Sequence, residues 1–143
     1  MNNETKIKLT YYDLEGNIAI ESVWADMEGD FYRIKNSPFF APNISYNDLV
    51  SVEIDEGELY FDELIKPSGH STIHVIVYEM SNFDHVMMNI EKLNCTWEGS
   101  HLANYVSIDV PSEVDYSKLK FYLEDKSKEG VIGFQEACLA HNV

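Results

Sequence analysis

Positive charge is what this 143-residue chain has least of: 10 Lys and Arg stand against 25 Asp and Glu, a formal net charge of -15 at pH 7. A surface this negative repels phosphate backbones and anionic headgroups, so neither nucleic acid nor a membrane surface is expected as a partner. Cysteine is nearly absent too. Cys95 and Cys138 form no CxxC or related spacing, which favours reduced, buried thiols, with a disulfide as the minor alternative. No apolar run approaches the length of a membrane span, and the opening residues lack the basic and apolar regions of a secretory leader. The expected compartment is therefore the cytoplasm. P-loop and GxGxxG patterns are missing. Asp26-Met27-Glu28-Gly29-Asp30 resembles a calcium loop, but its Gly is misplaced and the twelfth position carries no Glu, so it reads as a hairpin turn. No metal and no cofactor is expected.

What is present is a core. With 45% hydrophobic and 13% aromatic residues, the acidity is not that of a disordered tail, and the length suits one domain or two small ones sharing a core. The acids are unevenly spread. Between Lys8 and Lys66 lie Asp13, Glu15, Glu21, Asp26, Glu28, Asp30, Asp48, Glu53, Asp55, Glu56, Glu58, Asp62 and Glu63, thirteen against Arg33 and Lys35.

The first half reads as β. Residues 6–12 alternate with the period of a half-buried strand, Glu15-Gly16-Asn17 turns the chain, and residues 18–25 return. Glu28-Gly29-Asp30 leads into a short strand at 31–35. Pro38 and Pro42 bracket Phe39, Phe40 and Ala41, an extended piece that predicts an aromatic plug under a loop. Residues 49–54, the turn Glu56-Gly57 and residues 58–66 form a second hairpin. After Pro67-Ser68-Gly69 the near-continuous apolar run at 72–79 predicts a central strand buried on both faces. Ser81 or Asn82 caps a helix carrying Phe83, Val86, Met87, Ile90 and Leu93 at helical spacing. Strands at 95–98 and 105–110 follow. Ser112, with Asp115 three residues later, predicts the start of a helix whose inward face is Leu119, Tyr122 and Leu123. Lys126 and Lys128 suit its C-terminal end, Gly130 stops it, and residues 131–139 are the last strand. The expectation is an α+β chain: a small antiparallel β-barrel over residues 1–67, then a ferredoxin-like β-α-β-β-α-β sandwich over 68–143, the two packing as one unit.

The strings Ile20-Glu21-Ser22-Val23-Trp24-Ala25, Tyr32-Arg33-Ile34-Lys35-Asn36-Ser37-Pro38-Phe39-Phe40-Ala41, Ser45-Tyr46-Asn47-Asp48-Leu49-Val50 and Ser68-Gly69-His70-Ser71-Thr72 together resemble the bacterial family known as domain of unknown function 4265 (DUF4265). Leu93-Asn94-Cys95, Val110-Pro111 and Gln135-Glu136-Ala137-Cys138-Leu139 extend the resemblance over nearly the whole chain. The chain departs from the family pattern at Asn47, where Gly is usual and where Asn still tolerates positive φ, and at His74, where a basic residue is often found. The resemblance implies a shared fold and no established activity.

Gly69, His70, Ser71 and Thr72 are the candidate ligand site, because a histidine beside hydroxyls at a hinge can bind or move a proton. Their setting is not that of a nucleophile elbow, and a turn stapled by side-chain hydrogen bonds, with Gly69 at an unusual backbone angle, is the favoured account of them. His70 and His74, four residues apart in extended chain, stand about 13 Å from one another at ~3.3 Å per residue, too far to share a metal. Trp24, Phe31, Tyr32, Phe39, Phe40, Tyr46, Tyr60 and Phe61 lie among the acids, a mixture that suits an interface receiving Arg and Lys or else the core of a barrel. The leading expectation is an acidic, non-enzymatic protein-binding module, an immunity- or antitoxin-like inhibitor of a basic protein. Its interaction candidates are Asp26, Glu28, Asp30, Asp55, Glu56, Glu58, Asp62 and Glu63. The alternative is a small-ligand sensor at the junction around His70, and less favoured is a hydrolase with His70 as general base.

Overall fold

A computed structural model describes residues 4–142; residues 1–3, part of the opening on which the leader expectation rests, and residue 143 lie outside it. Alternation builds the first sheet, interrupted by register shifts where Leu49 to Val52 pair with the last strand of the sheet. β1 (Glu4–Tyr12) pairs antiparallel with β2 (Ile18–Glu28), which pairs with β3 (Phe31–Ile34), then β4 (Leu49–Asp55), then β5 (Glu58–Lys66). β5 meets β1 through a parallel contact at Lys8 and Tyr60, so the five strands close into a ring. Period 2 puts Ile7, Leu9, Val23, Ala25, Ile34 and Val50 inside, where they form one cluster with Ala41 and Ile44.

The second sheet has the order β7-β8-β6-β9, from β6 (Ser71–Val77), β7 (Thr96–Gly99), β8 (Tyr105–Val110) and β9 (Ile132–Cys138). All its pairings are antiparallel. β6 lies between β8 and β9 and is buried on both faces, as its apolar run requires. On one face, Ile73, Val75, Val77, Val106, Ile108 and Val110 share a core with Val86, Met87 and Ile90 of α1 (Phe83–Lys92) and with Tyr116, Leu119 and Leu123 of α2 (Tyr116–Lys128). Each of these fully buried aliphatic side chains contributes about 1.5–3 kcal/mol on transfer from water. The opposite face, where His74 is paired with Ser107, is turned to the segment that links β3 and β4.

Two helix starts differ from expectation. Asn82 is the residue before α1, but its side chain makes no capping bond, because a 3-10 turn over Met80–Asn82 leads into the helix. α2 begins later than Ser112 implies. Its cap is Asp115, which accepts from the Ser117 amide, while the 111–114 segment is held in a turn by Val114 donating to the Pro111 carbonyl. Among the described residues no helix is long and apolar enough to cross a membrane.

Candidate functional site

The junction is organised around residues 36–42. Pro38 and Pro42 keep this segment extended, so its amides find no ladder and need side-chain acceptors. Glu21 of β2 supplies them: its carboxylate accepts from the amides of Phe39, Phe40 (3.0 Å) and Ala41 (3.0 Å). Glu98 of β7 reaches across to accept from the Ser37 amide at 2.7 Å and from the Asn36 side chain at 3.3 Å. The Pro38 carbonyl uses both lone pairs, accepting from His74 Nε2 at 2.7 Å and from the Ser107 hydroxyl at 2.9 Å. The Tyr105 hydroxyl donates to the Phe39 carbonyl. Burial lowers the His74 pKa, opposed by its bond to Pro38, and pushes the Tyr105 phenol up to about 12. The Phe40 ring stacks on Tyr11 at 5.5 Å and on Tyr105 at 5.4 Å. It is thus the plug that its prolines suggest.

Residues 68–72 sit beside it. Gly69 has φ +89°, and a Cβ there would lie 3.0 Å from Ser112 Cβ. Asp48, itself buried, holds the turn by accepting from the amides of Ser45 (2.9 Å) and Ser68 (2.8 Å). The Ser68 hydroxyl donates to the Tyr46 carbonyl and accepts from the His70 amide. His70 Nδ1 lies 2.8 Å from Asp109 Oδ1, with the Tyr46 ring 5.4 Å away; the two side chains are only 15% and 13% exposed. Burial raises the Asp109 pKa, and the His70 hydrogen bond opposes that rise. Ser71 and Thr72 are fully buried. The Ser71 hydroxyl is 2.6 Å from His141 Nδ1 and accepts from the amides of Ala140 and His141, while His141 Nε2 donates to the Pro111 carbonyl. Thr72 bonds with Ser45 at 2.7 Å and donates to the Ile44 carbonyl. Of the four candidate residues, Ser71 and Thr72 therefore face inward as staples, and only Gly69 and His70 retain solvent contact. His70 and His74 have separate partners. Surface depressions lie elsewhere, between the end of α1 and the start of α2, beside Glu53 to Tyr60, and under Tyr12.

The acidic candidates divide differently. The pairings Glu4 with Asp26, Glu28 with Phe31 and Asp55 with Glu58 put the start of β1, the β2–β3 turn and the β4–β5 turn at one end of the ring. That end is opposite the one from which residues 35–48 and 67–70 run to the second sheet. Asp26, Glu28, Asp30, Asp55, Glu56 and Glu58 gather there, whereas Asp62 and Glu63 lie farther along β5. Some are partly neutralised. Arg33 donates to both oxygens of Glu28, whose pKa it lowers, and ion pairs join Lys35 to Asp26 (3.9 Å) and Lys8 to Glu58 (3.5 Å). Asp30, Asp55 and Glu56 have no ion pair among the described residues. Met27 and Ile54 stand between these acids, in the phase that points into the ring, yet they are 51% and 73% exposed because the ring opens there. Sequence reading passed over both; the signal was an inward-phase apolar residue immediately before a Gly-containing turn.

Among the described residues no three His, Cys, Asp or Glu side chains converge as metal ligands. Cys95 and Cys138 are free, the first buried with its thiol pushed up to about 11 and the second half-buried with its thiol raised.

The sequence profile of the domain of unknown function DUF4265 matches residues 21–134. A crystal structure of a hypothetical protein from Neisseria gonorrhoeae is similar over 97% of both chains, with 34% identity and a TM-score of 0.88. No curated protein matches the chain.

Proposed function

The chain belongs to the family described as domain of unknown function DUF4265, and on the geometry of its ring we propose that it is an acidic protein-binding module, an immunity- or antitoxin-like inhibitor of a basic protein in the cytoplasm. We read the ring as a small β-barrel and the β7-β8-β6-β9 sheet with its two helices as a ferredoxin-like sandwich. The sandwich anchors the barrel by one end and leaves the other free.

The observation that carries this reading is the convergence of six acids and two exposed apolar side chains, Met27 and Ile54, on that free end. Apolar groups rimmed by charge are the composition of a protein interface, and a field of one sign speeds capture of an opposite partner. Glu56 adds a cost that argues for use. It occupies φ +51° in the two-residue turn with Gly57, a conformation in which Asn or Gly is less strained. An acid kept there trades local stability for a carboxylate at the tip.

Affinity capture from the native host tests the reading, using the wild-type chain and an Asp30→Asn, Asp55→Asn, Glu56→Asn variant as baits. The expected result is a basic protein retained by the first and lost by the second, with an association rate that falls steeply as salt rises from about 50 to 300 mM. Glu56→Asn alone should stabilise the fold by about 0.5–1 kcal/mol while weakening capture. Recovery of no basic protein, or an association rate indifferent to salt, sets the reading aside.

A second reading rests on the His70–Asp109 pair. Asp109 engages Nδ1, which leaves Nε2 as the nitrogen free to meet a small ligand or take a proton. Thermal-shift screening of metabolites against wild type and His70→Ala tests it. A stabilising ligand that ignores the substitution removes His70 from the site.

A further inference from the structure

We infer that the free edge of β4, at the open end of the ring, receives an extended basic segment of the partner protein as an additional strand. The inference rests on the acidic-module reading and specifies how the module binds.

The edge arises from unequal strand lengths. β3 has four residues and covers β4 only at Leu49 and Val50. β4 continues to Asp55 with β5 alone beside it. The hairpin geometry fixes which main-chain groups are left over. Glu56 and Gly57, at φ +51° and +81°, make a two-residue turn flanked by Asp55 and Glu58. In such a turn the flanking pair exchanges both hydrogen bonds, and bonded pairs then recur at every second residue. Asp55 and Glu53 therefore bond to β5, and the N–H and C=O groups of Val52 and Ile54 point to the other side. Among the described residues no segment outside the sheets bonds to them. Unsatisfied main-chain groups in a row are a template for another strand.

Side chains state the chemistry of the occupant. A strand lying beside β4 past the β2–β3 turn, whose Asp30 falls level with Val52, would set a residue level with Ile54, toward the ring's mouth where Ile54 and Met27 are exposed. Its remaining residues would lie level with Glu53 and Asp55 on the outer face, near Glu28 and Asp30 of the β2–β3 turn. Arg33, the neighbouring cation, is committed to Glu28 and to the Asn47 carbonyl. The complementary segment is an alternation of basic and apolar residues, about five long. A second copy of this chain fits poorly, because it would bring Glu53 and Asp55 against the same acids.

The test uses the full chain and a ten-residue peptide of alternating Lys and Val, end-capped. Comparison peptides replace Lys by Glu, or carry N-methyl groups on the amides of one edge. The Lys–Val peptide is expected to bind, to slow hydrogen exchange at the Ile54 amide, and to lose affinity about tenfold on N-methylation, as removal of a main-chain bond implies. The Glu–Val peptide is expected not to bind. Ile54→Pro, which removes an N–H that β5 does not use, should reproduce the loss with an unchanged melting temperature. The N-methylated probe leaves the protein untouched, so an unstable variant would not blur the result. Equal binding of the methylated and parent peptides, both abolished by Asp30→Asn, Asp55→Asn, Glu56→Asn, would overturn strand addition and leave the acidic module standing. Absence of Lys–Val binding would overturn the inference, and the capture experiment above would then decide the module by itself. A wild-type dimer that Ile54→Pro converts to monomer would assign the edge to a second copy and also overturn it.

Discussion

His74 of β6 donates its Nε2 proton to the carbonyl oxygen of Pro38, 2.7 Å away, across the junction of the ring and the second sheet. Burial of the imidazole is the dominant influence and lowers its pKa below the ordinary 6.5. A base with a depressed folded-state pKa takes up its proton more readily when the chain is unfolded. Its contribution to stability is therefore complete above pH 6.5 and is lost as pH falls from there through the folded value. Urea unfolding across that interval should show the wild-type midpoint falling with acid. A His74→Gln variant keeps a donor for Pro38 and should flatten this part of the curve. A slope unchanged by the substitution would mean that another group controls it.

Glu21 replaces a missing ladder for the amides of Phe39, Phe40 and Ala41. Hydrogen bonds to a charged acceptor contribute about 1.5–3 kcal/mol each where they are sheltered, and here one carboxylate serves three donors. Glu21→Ala should cost roughly 3 kcal/mol or more, read as a drop in the urea midpoint with little change in slope. Glu21→Gln should cost less, because its amide oxygen still accepts. Since Phe40 stacks on both Tyr11 and Tyr105, loss of the clamp should also broaden the aromatic side-chain signals of those three residues.

Gly69 is held at φ +89°, and Ser112 lies 3.0 Å from where a Cβ would stand. Any side chain there meets both an unfavourable backbone region and a close neighbour. Gly69→Ala should destabilise by about 1–3 kcal/mol, and a Gly69→Ala, Ser112→Gly pair should recover only the steric share. Full recovery would show that the backbone angle costs nothing.

The strands were legible because their period is local. Residues 58–66 and 105–110 were read with the bounds that β5 and β8 have, since alternation and a flanking turn or proline define both. The ring's closure was less legible: it depends on one parallel meeting of Lys8 with Tyr60, and nothing in either strand announces the other. Ser112 misled as a helix cap because the Pro111 carbonyl takes the Val114 amide into a turn first. Asp115 is the nearer acceptor for the true first turn. Around His70, the sequence marked the turn, and the unusual angle expected of Gly69 is present. His70's partner was hidden, because Asp109 is 39 residues away and register alone brings it near. Glu21 is one acid among thirteen in the first half and Glu98 one residue of a short strand, and neither is marked, for the same reason. A carboxylate that caps distant amides has no signature distinct from one facing water.

The last prediction concerns that hidden partner. Asp109 has a raised pKa, with burial the largest cause and the His70 hydrogen bond acting against it. An acid whose folded-state pKa is raised contributes stability below its unfolded value near 3.8, and that contribution is lost as pH rises through the folded value. At neutral pH the carboxylate is therefore tolerated because His70 is there. His70→Ala withdraws the hydrogen bond, pushes the Asp109 pKa higher still, and should lower stability at pH 7 by about 1.5–3 kcal/mol. Asp109→Asn in the same chain replaces the stranded charge with a neutral group and should restore most of the loss. The two substitutions would then be strongly non-additive, as expected for groups in contact. Chemical denaturation of the wild type, both singles and the double closes the cycle. Simple additivity would show that Asp109 is already stabilised by something other than His70, and that the contact of His70 with Tyr46 accounts for what the single substitution costs.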